Sequence, residues 1–260
     1  MCSCYLTPSH DSIWLYQCQQ TFAIGHAQSG KNPELRLIFF RLARLFRLPI
    51  IPIFVFDGPS RPALKRGKKV LPLEHWLSQG ARHFIDAFGF EWMMAPAEAE
   101  AELARLNARG LINSVLTDDS DAFIFGATTI IRNPNVKVDK DHVGIYSADA
   151  IRTQIDPALT RGSLYLVAIL SGGDYDDGLL RCGAEIARSL ARYGLGDTLL
   201  AAVTSRHVDL PSFLHGWRSE LKTYLSEDPR DTLGVATSLS LLPFPTPFRI
   251  LSYLRPMLGC

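Results

Sequence analysis

The sequence contains few cysteines, and they do not form a pattern of disulfides or zinc ligands. There are five, an odd number, and no two of them stand in a CxxC pair. Disulfide frameworks and structural zinc sites need paired cysteines at recurring spacing. Neither class of protein is therefore supported, and a reducing intracellular compartment is the simpler expectation.

Long apolar runs are also absent. No segment reaches the roughly 20 apolar residues that cross a bilayer, and the first residues lack the basic and apolar regions of a secretory signal. Polar low-complexity tracts, which are typical of disordered chains, are missing as well. We therefore expect a folded protein that is neither secreted nor embedded in a membrane.

An excess of charge of one sign is the third absence, since 27 Lys and Arg residues face 26 Asp and Glu residues. Near neutrality does not exclude nucleic acid as a partner, because the charges can be segregated along the chain. The densest positive segment, residues 59–72, reads PSRPALKRGKKVLP and contains no acidic residue. Its five basic residues are Arg61, Lys65, Arg66, Lys68 and Lys69. Such a run suits salt-dependent contacts with phosphates, and a merely soluble loop is the alternative.

Apolar periodicity predicts strands that alternate with helices. Predicted helices include PELRLIFFRLARLFRL, EHWLSQGARHFIDAFG and APAEAEAELARLNARG, and predicted strands include IIPIFVF, FEWMM, LINSVLT and HVGIYS. This alternation favours an α/β fold with a mostly parallel central sheet flanked by helices. From about residue 178 the pattern is helical only, so we divide the chain into an α/β domain, 1–177, and a helical region, 178–260.

Carboxylates recur where the predicted strands end. Residues 115–127, VLTDDSDAFIFGA, place three Asp residues within four positions between two apolar runs. Ligands of open α/β sheets bind at the carboxyl ends of the strands. The carboxylates expected at that edge or beside a glycine-rich break are Asp57, Glu98, Glu100, Asp119, Asp121 and Asp174.

Several carboxylates in one pocket repel each other unless cations neutralise them. Oxygen ligands without His or Cys suit Mg²⁺ or Mn²⁺. Two such ions about 4 Å apart can activate a water and stabilise the leaving oxygen in phosphodiester hydrolysis. Two structural alternatives stay open: Asp118 as a helix cap, and the AEAEAE run as a solvated helix start favoured by the helix dipole.

Four segments together resemble the Rad2/XPG family of structure-specific nucleases, in the family's order and spacing. They are FVFDGPSRPALKR, APAEAEAELARLNARG, SVLTDDSDAFIFG and AILSGGDYDDGLLRCG. The resemblance spans most of residues 11–196 and implies a PIN-like nuclease core over 1–177, followed by a small helix-two-turn-helix region. The sequence most resembles fungal members of the Holliday-junction resolvase branch, and a flap endonuclease is the alternative within the family.

The resemblance also implies roles for individual residues. It makes the six carboxylates metal ligands and adds Asp11, because DSIWLYQ resembles the segment that carries the family's first Asp. Lys65 resembles the catalytic lysine at the scissile phosphate, and an ordinary surface lysine is the alternative. Gly178 and Gly183 match the turns that grip duplex DNA, often through K⁺. Arg181 stands where Gly is usual, so the resemblance leaves the geometry of that turn and the K⁺ site open.

The first ten residues, MCSCYLTPSH, depart from the family. They lack its glycine near residue 2 and the apolar strand that delivers the first Asp, and Pro8 interrupts them. We therefore expect the central strand of the sheet to be missing and the chain to be truncated at its N-terminus. Because the sequence also stops soon after the helical region, we expect truncation at the C-terminus as well.

The carboxylates and the resemblance together imply a nuclear, Mg²⁺-dependent endonuclease that uses two ions, with Mn²⁺ as a substitute. It would cut branched DNA, either Holliday junctions or 5′ flaps, in repair and recombination, and dimerisation on a four-way junction would distinguish the resolvase. A catalytically inactive relic that binds branched DNA is the alternative. A small-molecule metal phosphatase is disfavoured, because its substrate needs neither the basic run nor the glycine-rich helical motif.

Overall fold

The structure is a computed structural model of the chain. It describes residues 4–8, 15, 17–19, 32–62, 64–65, 68–69, 74–132, 142–173, 177–205 and 209–228, with the backbone alone for 4–8, 64–65 and 68–69. The chain forms two compact units, Met1–Arg61 with Leu71–Ser147, and Pro62–Val70 with Ala148–Cys260. The division at residue 178 stays a prediction about function, because packing does not test which residues bind DNA.

A six-stranded sheet forms the centre of the first unit. Across the sheet the strands are β5 (Glu91–Met94), β2 (Ile50–Phe56), β1 (Cys4–Pro8), β6 (Ser114–Leu116), β7 (Thr129–Arg132) and β8 (Gly144–Ser147). Every neighbouring pair is parallel except β7 with β8, which is antiparallel. Parallel neighbours need crossover connections, which helices supply here. The predicted α/β class with a mostly parallel sheet is confirmed.

Strand β1 corrects the expectation of a missing central strand. It lies between β2 and β6, and Leu6 is paired with both Pro52 and Ser114. The prediction was wrong because five residues that include Cys, Thr and a final Pro lack the β-branched run by which strands are recognised. Hydrogen-bonded partners on both sides, rather than local propensity, define this strand.

The helices described beside the sheet include α1 (Pro33–Phe46), α2 (Ser78–Ala87), α3 (Ala99–Ala108) and α4 (Asp121–Phe125). The three predicted helices correspond to α1, α2 and α3 and are confirmed, whereas α4 was not predicted. Pro33 begins α1 at the first helical position, where its missing N–H leaves no bond unmade. Helix α2 begins later than predicted, because His75 Nδ1 accepts the backbone N–H of Leu77 at 3.2 Å and favours a turn there. Gly110, at φ +70°, follows α3 as predicted.

The second unit combines a hairpin with helices. The hairpin pairs β3 (Leu64–Lys65) with β4 (Lys68–Lys69) in antiparallel register. A short helix α5 (Ala148–Ala150) runs into a π-helical turn at Ile151–Ile155. The other helices in the described residues of this unit are α6 (Arg161–Ser171), α7 (Ala184–Ala191), α8 (Leu195–Thr204) and α9 (Leu210–Glu227). Helices α6 and α8 touch through their backbones, since a Cβ on Gly196 would lie 2.1 Å from the carbonyl oxygen of Gly162.

An ion-pair cluster connects the end of the π-helical turn to α7. The carboxylate of Asp156 accepts hydrogen bonds from the backbone N–H of Ala158 at 3.0 Å, from Arg192 at 3.0 Å and from Arg188 at 3.2 Å. These bonds lower the pKa of Asp156 below its ordinary value. The bond from Ala158 has the largest effect, and that from Arg192 comes next.

Within the part of the chain that the structure describes, every helix is too short or too polar to cross a membrane.

Candidate metal centre

Asp57 follows β2, and both of its carboxylate oxygens have partners. Oδ1 accepts the backbone N–H of Ala99 at 2.9 Å, and Oδ2 lies 3.4 Å from Nη1 of Arg61. The side chain is only 10% exposed. Ala99 is the first residue of α3, so Asp57 satisfies one of the N–H groups that a helix start leaves without an intrahelical acceptor.

The loop after β2 lies against the loop before α3. The backbone N–H of Gly58 donates to the carbonyl of Ala97 at 2.6 Å, and that of Ser60 donates to Pro96 at 3.1 Å. A Cβ on Gly58 would lie 1.8 Å from the carbonyl oxygen of Ala95, so this approach requires glycine. These contacts hold Asp57 beside the start of α3.

Glu98 and Glu100 are buried, with 5% and 3% of their surfaces exposed. Glu98 occupies the N-cap position of α3, although its side chain makes no capping hydrogen bond. Glu100 Oε1 accepts a hydrogen bond from Thr117 Oγ1 at 3.1 Å. Glu102, the third glutamate of the run, is also buried but pairs with Arg105 on its own helix. The alternative of a solvated helix start is therefore wrong for this run.

Thr117, which was not among the predicted site residues, connects α3 to the loop after β6. Its hydroxyl accepts the backbone N–H of Asp119 at 2.9 Å while it donates to Glu100. Asp119 Oδ1 in turn accepts the backbone N–H of Asp121 at 3.0 Å. A Thr at the end of a strand, two residues before an Asp, is the signal that would have indicated this turn.

The side chain of Asp118 bonds to a different part of the chain from that of Asp119. Its Oδ2 accepts a hydrogen bond from Gln17 Nε2 at 3.4 Å. The N-cap of α4 is Ser120, and the local side-chain bond to its first residue comes from Asp119, so the helix-cap alternative for Asp118 is not supported.

The topology brings the described carboxylates to one edge of the sheet. Asp57 and Asp119 follow parallel strands that are separated only by β1, and Glu98 and Glu100 begin the helix that Asp57 caps. Buried donors that are all oxygens fit Mg²⁺ better than a soft metal. Among the described residues, however, no three His, Cys, Asp or Glu side chains are grouped closely enough to hold an ion.

Three predicted site residues lie outside the described residues. They are the predicted ligands Asp11 and Asp174 and the predicted DNA contact Arg66. For Lys65, Lys68 and Lys69 the backbone alone is described, and it pairs Lys65 with Lys68 across the hairpin. Arg61, predicted to contact DNA, lies beside Asp57.

The turn between α6 and α7 is built on left-handed residues. Gly172 has φ +85° and Gly178 has φ +77°, and a Cβ on Gly178 would lie 2.4 Å from the backbone nitrogen of Gly172. Arg181 has φ +63° and is exposed. It adopts the left-handed conformation that glycine adopts most readily, so the substitution does not abolish this feature of the turn. Gly183, at φ −71° with open space around it, has no such requirement.

Two family models match the chain. The XPG N-terminal domain matches residues 10–70, and the XPG I-region matches residues 89–174. The protein named Flap endonuclease GEN homolog 1 from Mus musculus is 32% identical over 209 residues, which cover 73% of this chain and 22% of that protein. The chain thus spans less than a quarter of this relative's length.

Solved structures of nucleases are also similar to this chain. A crystal structure of the Holliday junction-resolving enzyme GEN1 with product DNA and Mg²⁺ has a TM-score of 0.73 at 31% identity, covering 97% of this chain and 56% of that chain. The catalytic core of Rad2 with substrate DNA has a TM-score of 0.59 at 25% identity, covering 99% and 88%. Together with the order of strands and the carboxylates at their ends, these similarities show that the chain belongs to the Rad2/XPG family of structure-specific nucleases.

Proposed function

We propose that this chain is a divalent-metal-dependent DNA endonuclease that hydrolyses phosphodiester bonds at branched DNA. The observation that carries the proposal is the linkage of the carboxylates at the carboxyl edge of the sheet. Asp57 holds the start of α3 through Ala99, and Thr117 joins Glu100 to Asp119. Relatives with flap endonuclease or junction-resolving activity in their names, and neighbours solved with DNA, support the substrate class.

Two Mg²⁺ ions, or Mn²⁺ in their place, would be held by the carboxylates that lie at or were predicted for this edge. These are Asp11, Asp57, Glu98, Glu100, Asp119, Asp121 and Asp174. When bound, the ions would polarise the phosphate and lower the pKa of the attacking water. The chain itself would orient the donors, since hydrogen bonds to ligating carboxylates fix their direction before substrate arrives.

The basic segment would bind the phosphates of the DNA, with Lys65 at the scissile one. Its hairpin places Lys65 opposite Lys68 in the register. Like charges at directly opposed positions destabilise a strand pair, and a bound phosphate would remove that cost. Arg61, Arg66 and Lys69 would add contacts that make binding salt-dependent.

The turn before α7 would contact the backbone of duplex DNA. Gly178 and Gly183 flank the left-handed Arg181 there. In the family this region often binds K⁺, and we include K⁺ at this turn in the proposal. Such contacts recognise DNA by shape and deformability rather than by base sequence.

Within branched DNA, a Holliday junction is the favoured substrate and a 5′ flap the alternative. The similarity to a junction-resolving enzyme supports the first, and the name of the mouse relative includes the second activity. Dimerisation on a four-way junction would accompany the first alone. Action in the nucleus, where chromosomal junctions arise, belongs to the same proposal.

Cleavage of labelled DNA tests the proposal. The unmodified protein is incubated with four-way-junction or 5′-flap DNA and Mg²⁺, beside Asp119→Ala and Asp121→Ala variants. We expect both substitutions to lower the rate by about 100-fold or more, because each removes a predicted ligand. Asp118→Ala is the matched control, since Asp118 contacts Gln17 rather than the carboxylate network, and its cleavage should persist.

Binding without cleavage by the unmodified protein would contradict the proposal and favour the inactive relic. Equal cleavage by the Asp119→Ala variant would show that the activity does not use these carboxylates. If branched DNA failed to compete for a phosphatase activity on small substrates, the disfavoured metal phosphatase would gain support.

A further inference from the structure

We infer that Thr117 is a positioning residue that fixes the directions of two predicted metal ligands, Glu100 and Asp119. The inference rests on the proposed metal site and concerns a residue outside its predicted ligand set. Its basis is one hydroxyl that bridges a helix and a loop, with both hydrogen bonds in the ordinary range of length.

The backbone of Thr117 is held by the sheet. The residue directly follows β6, and its N–H donates to the carbonyl of Ile131 on β7 at 3.0 Å. The residue is 4% exposed, so water has little access to its hydroxyl. A β-branched side chain has few rotamers, which further restricts where Oγ1 can lie.

The direction of the hydroxyl hydrogen follows from donor chemistry. The backbone N–H of Asp119 can only donate, so Thr117 Oγ1 accepts that bond. The single hydrogen of the hydroxyl is then directed to Oε1 of Glu100, 3.1 Å away. Oε1 accepts this bond, which is the role that a carboxylate oxygen can fill.

Two predicted metal ligands on separate elements are thereby hydrogen-bonded to one atom, Oγ1 of Thr117. Glu100 lies on α3, whereas Asp119 lies in the loop that leads into α4. With Oε1 of Glu100 held, rotation of that carboxylate is restricted, and the direction of its second oxygen is restricted with it. With the Asp119 N–H held, the backbone that carries its carboxylate is fixed relative to the same hydroxyl. Partners of this kind typically change metal affinity by about 10- to 100-fold when removed.

Two substitutions separate positioning from packing. Thr117→Val keeps the shape of the side chain and removes the hydroxyl, whereas Thr117→Ser keeps the hydroxyl and removes the methyl group. If Thr117 merely packs, Ser should be the more harmful change. If it positions the ligands, Val should weaken metal binding and Ser should restore it.

The test is a calorimetric titration with Mn²⁺, with thermal unfolding in EDTA measured on the same proteins. We expect Thr117→Val to raise the Kd for Mn²⁺ by about 10- to 100-fold, and Thr117→Ser to bind as the unmodified protein does. Thr117→Ala removes the hydroxyl without a branched side chain and serves as the second variant if Thr117→Val does not fold.

Unchanged Mn²⁺ affinity in Thr117→Val or Thr117→Ala would overturn the inference, and so would an equal loss in Thr117→Ser. The proposed function fails separately: an unmodified protein that binds no Mn²⁺ and cuts no branched DNA would overturn both. A protein that binds and cuts, and whose affinity does not depend on the hydroxyl, would overturn this inference alone.

Discussion

The carboxylate of Asp57 caps a helix that begins 42 positions later in the chain, through a 2.9 Å hydrogen bond to the backbone N–H of Ala99. The same side chain is a predicted metal ligand. Asp57 therefore has a structural role that is present without metal, and loss of activity alone would not identify it as a ligand.

Two substitutions of Asp57 separate these roles. Asp57→Asn keeps an oxygen that can accept the Ala99 N–H, while Asp57→Ala removes it. In EDTA we expect Asp57→Ala to lower the free energy of unfolding by about 1 kcal/mol and Asp57→Asn to lower it less. Both variants should lose Mg²⁺-dependent cleavage, because neither carries the ligating charge. Urea unfolding checks the first expectation, and equal destabilisation by Asn and Ala would argue against the cap.

Gly58 should tolerate no side chain. Its added Cβ would lie 1.8 Å from the carbonyl oxygen of Ala95, so the two loops must separate. We expect Gly58→Ala to lower the free energy of unfolding by about 1–3 kcal/mol, as overpacking does. Gly216→Ala, in the exposed face of α9 with no atom near the added Cβ, is the matched control and should raise it by about 0.5–1 kcal/mol. Equal effects in urea unfolding would contradict the close approach.

Replacing Arg181 with glycine should stabilise the fold and weaken DNA binding. A non-glycine residue at φ +63° is strained, so Arg181→Gly should raise the free energy of unfolding by about 1 kcal/mol. Removing the exposed guanidinium should also weaken binding to four-way-junction DNA and reduce the salt slope by about 0.9 if it contacts one phosphate.

Arg181→Asn is the control for these two effects, since Asn tolerates the left-handed region but carries no charge. Its DNA affinity should match that of the Gly variant, measured by fluorescence anisotropy across a range of KCl concentrations. Wild-type affinity in both variants would exclude a DNA contact at this turn.

The Asp156 cluster should make unfolding depend on pH. Because the folded pKa lies below the ordinary value of 3.8, the ionised carboxylate stabilises the protein above that pH. This contribution is lost as the pH falls through the lowered pKa. Urea unfolding of the unmodified protein and Asp156→Asn should therefore differ near neutral pH, and the difference should disappear only as the pH falls below 3.8 and through the lowered pKa. Parallel curves over the whole range would show that the arginines do not stabilise the charge.

Periodicity and strand ends were enough to predict much of the first unit. IIPIFVF and FEWMM are neighbouring parallel strands, as their apolar and aromatic composition predicted, and Asp57 lies at the end of the first, as predicted. The burial of Glu98 and Glu100 could not be decided from AEAEAE, since the same letters suit a solvated helix. It depends on the loop at Gly58, which lies about 40 positions away.

Two features depended on contacts that no local pattern encodes. Strand β1 owes its assignment to partners on either side, which the five residues Cys4–Pro8 do not specify. Thr117 owes its importance to Glu100, which reaches it from another element. At Arg181 the sequence left the turn geometry open, and the backbone there has the positive φ of +63° that glycine adopts most readily.

The central position of β1 also has a consequence for the kinetics of folding. Its pairing of Leu6 with Ser114 closes a loop of about one hundred residues, and loop-closure entropy makes such pairings slow to form. During synthesis, Cys4–Pro8 leaves the ribosome long before Ser114–Leu116 exists, so the sheet cannot be completed until then. During that interval an edge of β1 or β2 stays unpaired, and an unpaired strand edge favours pairing with another chain.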